Sequence, residues 1–417
     1  MASLDRSRAE RLLSAAGLDA LILLSAESFR HATGADSGVA TMWRRAGAVA
    51  ALIPAGALVP AMAVVSDLFA ASFRRQSRIT DIRLSPIWVE ASTIAANDPD
   101  PETALPRAWA TEQRPTPFQR PTTFDAATCY RHIAEALADR NIRPRRLGVE
   151  LQAISAADFP ALATAFPGIE LVDAGSIISR LRMVKSATEI GYLRQAAALA
   201  ETGIAAVQGA ITPGISRDAL AGVWSAAIAA GQGRPLTGLL SGNLTGCWEY
   251  ISVGPDPWGG NAQARPGDLI KVDVGCLISG YTSDSARTFV LGAPSALKAR
   301  LHRALMAGFS AGSAMLHPGV ALAEIHHATQ SAIRAAGFPL YARGHFGHSL
   351  GLGPGSEEAP FIAADSDACL EPGMVIAFEC PWYITGLGGL IIEDQVLITG
   401  TGPEPMTHLP HALIRIG

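Results

Sequence analysis

The C-terminal half of this chain is written twice, and that constrains its fold more than any other feature. Ile211-Thr-Pro213-Gly214-Ile215-Ser216 follows one helical stretch and precedes another that runs to Gly231. Leu316-His-Pro318-Gly319-Val320-Ala321 does the same before a stretch that runs to Gly337, and the two Pro-Gly pairs are 105 residues apart. Pro266-Gly267-Asp-Leu-Ile-Lys-Val-Asp273 lines up with Pro372-Gly373-Met-Val-Ile-Ala-Phe-Glu379 at an offset of 106. Ser241-Gly242-Asn243 lines up with Phe346-Gly347-His348, again at 105. Two helices and a set of strands, used twice, predict a pseudo-twofold α+β domain.

The matched positions carry chemistry. Asp273 and Glu379 are carboxylates inside otherwise apolar strands, where an ionised group is costly unless it is paired or binds a cation. Each is followed by a second carboxylate beyond a Gly-containing turn: Asp284 eleven residues on, Glu393 fourteen. A hairpin turning at Ile278–Ser279 would set Asp273 directly opposite Asp284, where like charges repel. No Lys or Arg stands at a matched position in both halves, so bound cations are the simplest counter-charge. His348, present in the second half only, would break the symmetry as a nitrogen ligand.

The first half of the chain reads as a compact α/β domain. Helical patterns cover Ala9–Ala16, Ala126–Asp139 and Ala156–Ala165, and strand patterns cover Ala20–Leu24, Arg146–Glu150 and Ile169–Val172. Ala46 to Val65 is uncharged and about as long as a membrane span, but Pro54, Gly56 and Pro60 interrupt it. Two buried strands around a Pro-Ala-Gly turn are the expectation. Six prolines between Asp98 and Pro121 predict a long surface loop. Ser186-Ala-Thr-Glu189 is a capping box. The domains are therefore drawn at 1–176 and 177–417.

Composition excludes several partners. With 417 residues and 49% hydrophobic content, the chain has ample core for two or three domains. Its 33 basic and 37 acidic residues leave a net charge of −4, without the footprint of a nucleic-acid or anionic-membrane binder. The N-terminus reads as an amphipathic helix, since charges interrupt it before any apolar run, and not as a signal peptide. Five scattered cysteines argue against a disulfide scaffold and fit a reducing compartment. The expectation is a soluble, cytoplasmic protein.

Val272-Asp273-Val-Gly275, Gly280-Tyr281-Thr-Ser-Asp284-Ser-Ala-Arg287-Thr288, Gly347-His348-Ser-Leu-Gly351, Pro372-Gly373-Met374 through Glu379, and Ile392-Glu393-Asp394 together resemble the pita-bread metallohydrolases. That group includes Xaa-Pro aminopeptidases, prolidases, methionine aminopeptidases and creatinase. Arg182-Met-Val184-Lys185-Ser186 through Glu189-Ile190 is similar to the entry of their catalytic domain. The two-domain layout resembles the prolidase, aminopeptidase P and creatinase branch. The resemblance implies a pita-bread domain preceded by a smaller α/β domain, and two divalent metal ions (manganese, cobalt, zinc or iron). Asp284 and Glu393 would bridge the pair, Asp273 would complete one shell, and His348 with Glu379 the other. Such a pair can hold a bridging hydroxide and polarise an amide carbonyl, with Glu379 as proton acceptor. The resemblance also implies a short-peptide or small-molecule substrate and a homodimer.

The departures are specific. Glu357 stands where the peptidases carry a histidine, Asp256 where a second is expected, and Ile391 where an arginine is usual. Gly344 occupies a further histidine position, with His345 shifted by one. Glu357 and His345 thus join Glu379 as candidate catalytic residues, and Arg343, Trp248, Tyr250 and Tyr383 are candidates for the pocket wall. These changes leave open a small non-peptide amide, amidine or guanidino substrate, or a binding protein without catalysis on the same fold. Gly347-His-Ser349-Leu-Gly351 also satisfies G-x-S-x-G, with Asp394 and His408 following in triad order. The Leu-Gly-Pro-Gly after it cannot continue as the helix that such a nucleophile needs. His326 and His327 are expected at the solvated surface.

Overall fold

The computed structural model describes residues 4–87, 92–111, 125–231, 242–353 and 357–417. The chain divides into two compact units, one ending at Leu181 and the other spanning Arg182–Gly417.

The first unit is built on six strands: β1 (Ala20–Leu23), β2 (Ala50–Pro54), β3 (Met62–Ser66), β4 (Asp81–Ser85), β5 (Arg146–Val149) and β6 (Glu170–Asp173). They lie in the order β4-β3-β2-β1-β5-β6, with β2 antiparallel to both β1 and β3 and the other pairs parallel. Its helices are α1 (Arg6–Ala16), α2 (Ala26–Thr33), α3 (Val39–Trp43), α4 (Ala70–Gln76), α5 (Pro101–Thr111), α6 (Ala126–Asp139), α7 (Phe159–Ala165) and α8 (Gly175–Arg182). Leu21, Leu23, Ala51 and Ile53 face one core, shared with α1 and α2, while Ala20, Ile22, Ala50 and Leu52 face a second, shared with α6 and α7. Both sheet faces are covered, which explains why the uncharged run from Ala46 to Val65 lacks polar alternation. It forms β2 and β3, as its prolines and glycine imply.

One expectation fails here. The proline-rich stretch is not wholly a loop, because Pro101–Thr111 forms α5 with Pro106 inside it. Asp100 starts the helix, its side chain accepting from the Thr103 amide and its carbonyl from the Ala104 amide. Pro101 sits in the first turn, where an N–H has no intrahelical partner, and Pro106 removes a single ladder bond. Pro115, Pro117 and Pro121 lie outside the described residues.

The second unit has the pita-bread arrangement of two related halves. Its helices are α9 (Ala187–Ala210), α10 (Arg217–Gly231), α11 (Ala296–Ser313) and α12 (Leu322–Ala335). Its strands are β7 (Leu244–Glu249), β8 (Ser252–Val253), β9 (Leu269–Ile278), β10 (Tyr281–Thr282), β11 (Ser285–Leu291), β12 (His345–Ser349), β13 (Glu358–Ala363), β14 (Val375–Ile384), β15 (Gly388–Thr399), β16 (Gly402–Pro405) and β17 (Ile414–Ile416). One sheet runs β10-β9-β11-β15-β14-β12-β13, with β7 and β8 on β9, β16 on β15 and β17 on β11. The capping box forms, Ser186 accepting from the Glu189 amide while the Glu189 carboxylate takes the Ser186 amide.

The repeat is a structural one. Gly214 and Gly319, each after proline, have φ of 84° and 87°, and Gly267 and Gly373 have 90° and 92°. A turn with proline first and a positive-φ residue second requires glycine there. The bridge Ser216↔Gln263 recurs as Ala321↔Cys369. Each half owns a core: α9 and α10 pack with β9 and β11, and α11 and α12 with β14 and β15. A Cβ on Gly203 would come within 2.3 Å of Trp224, and one on its repeat partner Gly308 within 2.4 Å of Ile333. A side chain at either glycine would force its helix pair apart.

His302, on α11, is 5% exposed, and among the described residues its Nε2 has no hydrogen-bond partner. Burial lowers its imidazole to about 4. A folded-state value below the unfolded one stabilises the protein above pH ~6.5, and the contribution fades as pH falls toward 4. His302→Gln in the metal-free protein should therefore lose about 2 kcal/mol less stability than wild type between pH 7 and pH 4.5. Urea unfolding at the two pH values measures this, and equal losses would contradict it.

Candidate metal centre

Strand register brings the acidic side chains together. Asp273 on β9 faces Ala286 on β11, Ala286 faces Glu393 on β15, and Glu393 faces Glu379 on β14. Directly paired residues share a sheet face, so three carboxylates stand in one row across four strands. Asp284 lies two residues before Ala286, and His348 pairs with Ala377, two residues before Glu379. A shift of two keeps the face. All five sequence-derived ligand candidates therefore point into one place.

The expected hairpin register is corrected. Ile278 pairs with Tyr281, so the turn is Ser279–Gly280, with φ of 50° and 79°. Two positive φ values define the turn that matches strand twist, and Gly280 supplies the second without strain. Asp273 thus faces Ala286, and Asp284 sits diagonally from it. The diagonal leaves more space between the two carboxylates than direct opposition would.

The ligand atoms of Asp284, His348 and Glu393 lie within 4.8 Å of one another, and all three residues are buried. His348 Nε2 is 3.6 Å from Asp284 Oδ2. Its Nδ1 is 3.1 Å from the Ser349 carbonyl, which can only accept, so Nδ1 carries the proton and Nε2 keeps its lone pair for the cluster. Asp273 Oδ2 is 3.4 Å from Lys271 Nζ. Glu379 Oε1 is 2.7 Å from Arg343 Nη2 and 3.6 Å from His345 Nδ1.

Without a metal the group is electrostatically frustrated. Burial, with Glu379 adding to it and Lys271 opposing, pushes Asp273 up to about 6. Burial and the Asp273 and Glu379 charges hold Asp284 well above the usual carboxylate range. Burial and the Asp284 charge do the same to Glu393. The Asp284 and Glu393 side chains are within hydrogen-bonding reach of each other, which two ionised carboxylates tolerate poorly. Among the described residues, Asp284 Oδ1 is buried with no hydrogen-bond partner. A divalent cation removes both penalties, so these residues fit one, and their oxygen-rich set with one imidazole suits manganese, cobalt, iron or zinc.

The cluster lines a cavity of about 410 Å³. Arg343, Trp248, Tyr250, Tyr383 and Glu357 line it, as do Lys271, Arg217 and Trp258, which the sequence reading did not single out. Lys271 was legible: two residues before Asp273 on a strand is the same face. Trp258 is 73% exposed and packs on Tyr383 at 4.8 Å, making an aromatic mouth. His345 is half-buried beside Glu379 and is not among the residues lining the cavity.

Neighbouring signals resolve into structural roles. Lys185 Nζ donates to Ser349 Oγ at 2.8 Å and to Glu358 at 2.9 Å, and Arg182 pairs with Glu358 at 2.7 Å. This ties the entry segment to β12 and β13. Ser349 is thus a buried acceptor on a strand, and it does not assemble with Asp394 and His408. Asp394 instead pairs with Arg287 and His411. His326 is 3% exposed, with Nε2 2.9 Å from the Arg343 carbonyl, because its face of α12 packs inward against Phe346. Only His327 of that pair is exposed. Among the described residues no helix is long and apolar enough to cross a membrane.

Comparison with known proteins agrees with this geometry. Residues 191–400 match the model of metallopeptidase family M24, and residues 88–184 match the creatinase/prolidase N-terminal domain. The chain is 31% identical, over 65% of its length and 75% of the relative's, to a Bacillus subtilis protein named an uncharacterized peptidase. It is 30% identical to an Xaa-Pro dipeptidase of Pyrococcus horikoshii, over 57% of this chain and 66% of that one. A solved Xaa-Pro dipeptidase from Bacillus anthracis superposes with a TM-score of 0.75 at 22% identity, covering 98% and 99% of the two chains.

Proposed function

Given that the chain belongs to metallopeptidase family M24, and so is a metal-dependent peptide hydrolase, we propose that it is an Xaa-Pro dipeptidase or aminopeptidase with a dinuclear centre. Asp273, Asp284, His348, Glu379 and Glu393 would hold the two divalent ions. The observation that carries this is the meeting of Asp284, His348 and Glu393 within 4.8 Å in a buried acidic row. Ions bound there would polarise the scissile carbonyl and make water a nucleophile near neutral pH.

The chain's own residues supply the rest. Glu379 takes the proton from water and delivers it to the leaving nitrogen. Arg343, on Oε1, fixes that carboxylate's orientation, and His345 stands behind it. Glu357, at the cavity wall where a histidine is usual in look-alikes, positions substrate or moves a proton. Glu357→Gln should slow turnover by about threefold to tenfold with unchanged metal content; an unchanged rate makes Glu357 structural. We place the functional domains at 1–176 and 177–417, the protein in the cytoplasm, and its working form as a homodimer, which light scattering of the purified protein tests.

A second reading is a small non-peptide amide, amidine or guanidino substrate, favoured by Glu357, Asp256 and Ile391 at the departing positions. A panel of Xaa-Pro dipeptides, creatine-like compounds and cyclic amidines, run with metal analysis, decides between the two. Turnover confined to the non-peptide compounds would overturn the first.

A further inference from the structure

Lys271 lies inside the acidic cluster and has no role in the scheme above. It is on β9, 4% exposed, with Nζ 3.4 Å from Asp273 Oδ2 and over the rings of Tyr383 and Tyr250 at 5.1 and 6.0 Å. The fold makes room for it. A Cβ on Gly389 of β15 would come within 3.1 Å of the lysine stem, so a side chain there would crowd it. Its repeat counterpart is Ala377, which carries no charge and faces His348. A buried ammonium therefore breaks the pseudo-symmetry at this point.

The acids thus fall into two sets. Asp273 is held by Lys271 and Glu379 by Arg343, at 3.4 and 2.7 Å. Asp284 and Glu393 gather around His348. Four carboxylates, one lysine, one arginine and a single divalent ion sum to zero charge. A second divalent ion leaves a buried excess of two positive charges, which a low-dielectric site resists.

Resting on the metal-centre reading above, we propose that Lys271 is a resident cation that gates the second metal position. The centre takes one divalent ion at Asp284, His348 and Glu393, and a second reaches Asp273 only in competition with the Lys271 ammonium. No covalent step is involved. Lys271 sets how many ions the centre holds at a given metal concentration.

The test is Mn2+ binding to the full-length, chelator-stripped protein, by calorimetry and by metal content after dialysis at graded free Mn2+. Wild type should bind in two steps. In Lys271→Met the second step should move to at least about tenfold lower Mn2+, with the first within about twofold. Lys271→Arg, which keeps the charge, should behave like wild type. Lys271→Leu serves as a second neutral variant if the methionine form unfolds more easily. Superimposable second steps in wild type and a folded neutral variant overturn the proposal, as do two equal steps in wild type. Asp284→Asn separates this from failure of the site itself. If the centre is elsewhere, Asp284→Asn retains the first step, whereas failure of the Lys271 inference alone leaves that step abolished.

Discussion

Glu393→Gln is expected to remove metal and reduce peptidase activity by about a thousandfold or more, while leaving the metal-free protein at least as stable as wild type. Both halves of that outcome have one cause. Glu393 is 2% exposed, directly paired with Glu379, and within the same cluster as Asp284 and His348. As the carboxylate nearest the middle of the row it contributes most to holding a cation, and ions in such sites supply several kcal/mol to the reaction, each 1.4 being a factor of about ten. In the metal-free state the same carboxylate is a liability, held far above its usual range by burial and by Asp284. The neutral amide keeps its shape and removes the repulsion. Metal content after dialysis, dipeptide turnover and apo thermal unfolding measure the three quantities. Retained metal with near-normal rate would sink the assignment, and a large loss of apo stability would make Glu393 a structural residue.

Arg287→Met should destabilise the C-terminal unit by about 3–5 kcal/mol, the cost of breaking a buried ion pair. Arg287 is 2% exposed and pairs with Asp394 at 2.7 Å. It also donates to the carbonyls of Ala286, Glu393, Leu409 and Pro410. Two of those carbonyls are on the strands that carry the site, and two are on the segment leading to β17. Burial by itself would raise Asp394, but the hydrogen bond from His411 and the Arg287 charge outweigh it and hold the carboxyl below its usual range. Methionine fills the volume and leaves Asp394, among the described residues, with only Thr407 and His411 as partners, and four carbonyls short of a donor. The unfolding midpoint of that unit should fall by roughly 10 °C. A shift of under about 2 °C would mean that water or a repacked neighbour replaces the guanidinium.

The duplication made most of the C-terminal unit readable, because the Pro-Gly turns and the strand carboxylates Asp273 and Glu379 had a second copy to check them against. The matched strands point to Asp273, Asp284, Glu379 and Glu393 as a converging set with His348 beside them, and the family resemblance makes those five the ligands. Parity does not fix the diagonal, however. The Ser279–Gly280 turn had to accept a positive φ at serine before Asp273 could face Ala286, and that is a local backbone choice with no hydrophobic signature. His326 was misread because it falls on the buried stripe of α12 with Leu322, Ile325, Thr329 and Ile333, and one helical position decides whether an imidazole is solvated. The Pro101–Thr111 helix escaped because proline in a first turn costs little, and the rest of the composition there argues for loop. Lys271 was overlooked for another reason: a lysine in an apolar strand is ordinarily an edge or a snorkelling residue. Its parity with Asp273 was the available signal, and Gly389 opposite its stem leaves it room inside.

A repeated sheet gathers acids that bound divalent cations reconcile. Anomalous diffraction from crystals of the full-length protein grown in excess Mn2+ tests that most directly. The result expected is a manganese peak in coordination distance of Asp284, His348 and Glu393, with a weaker second peak beside Asp273. A map with no peak in this cavity, and the five side chains turned away from one another, would contradict it.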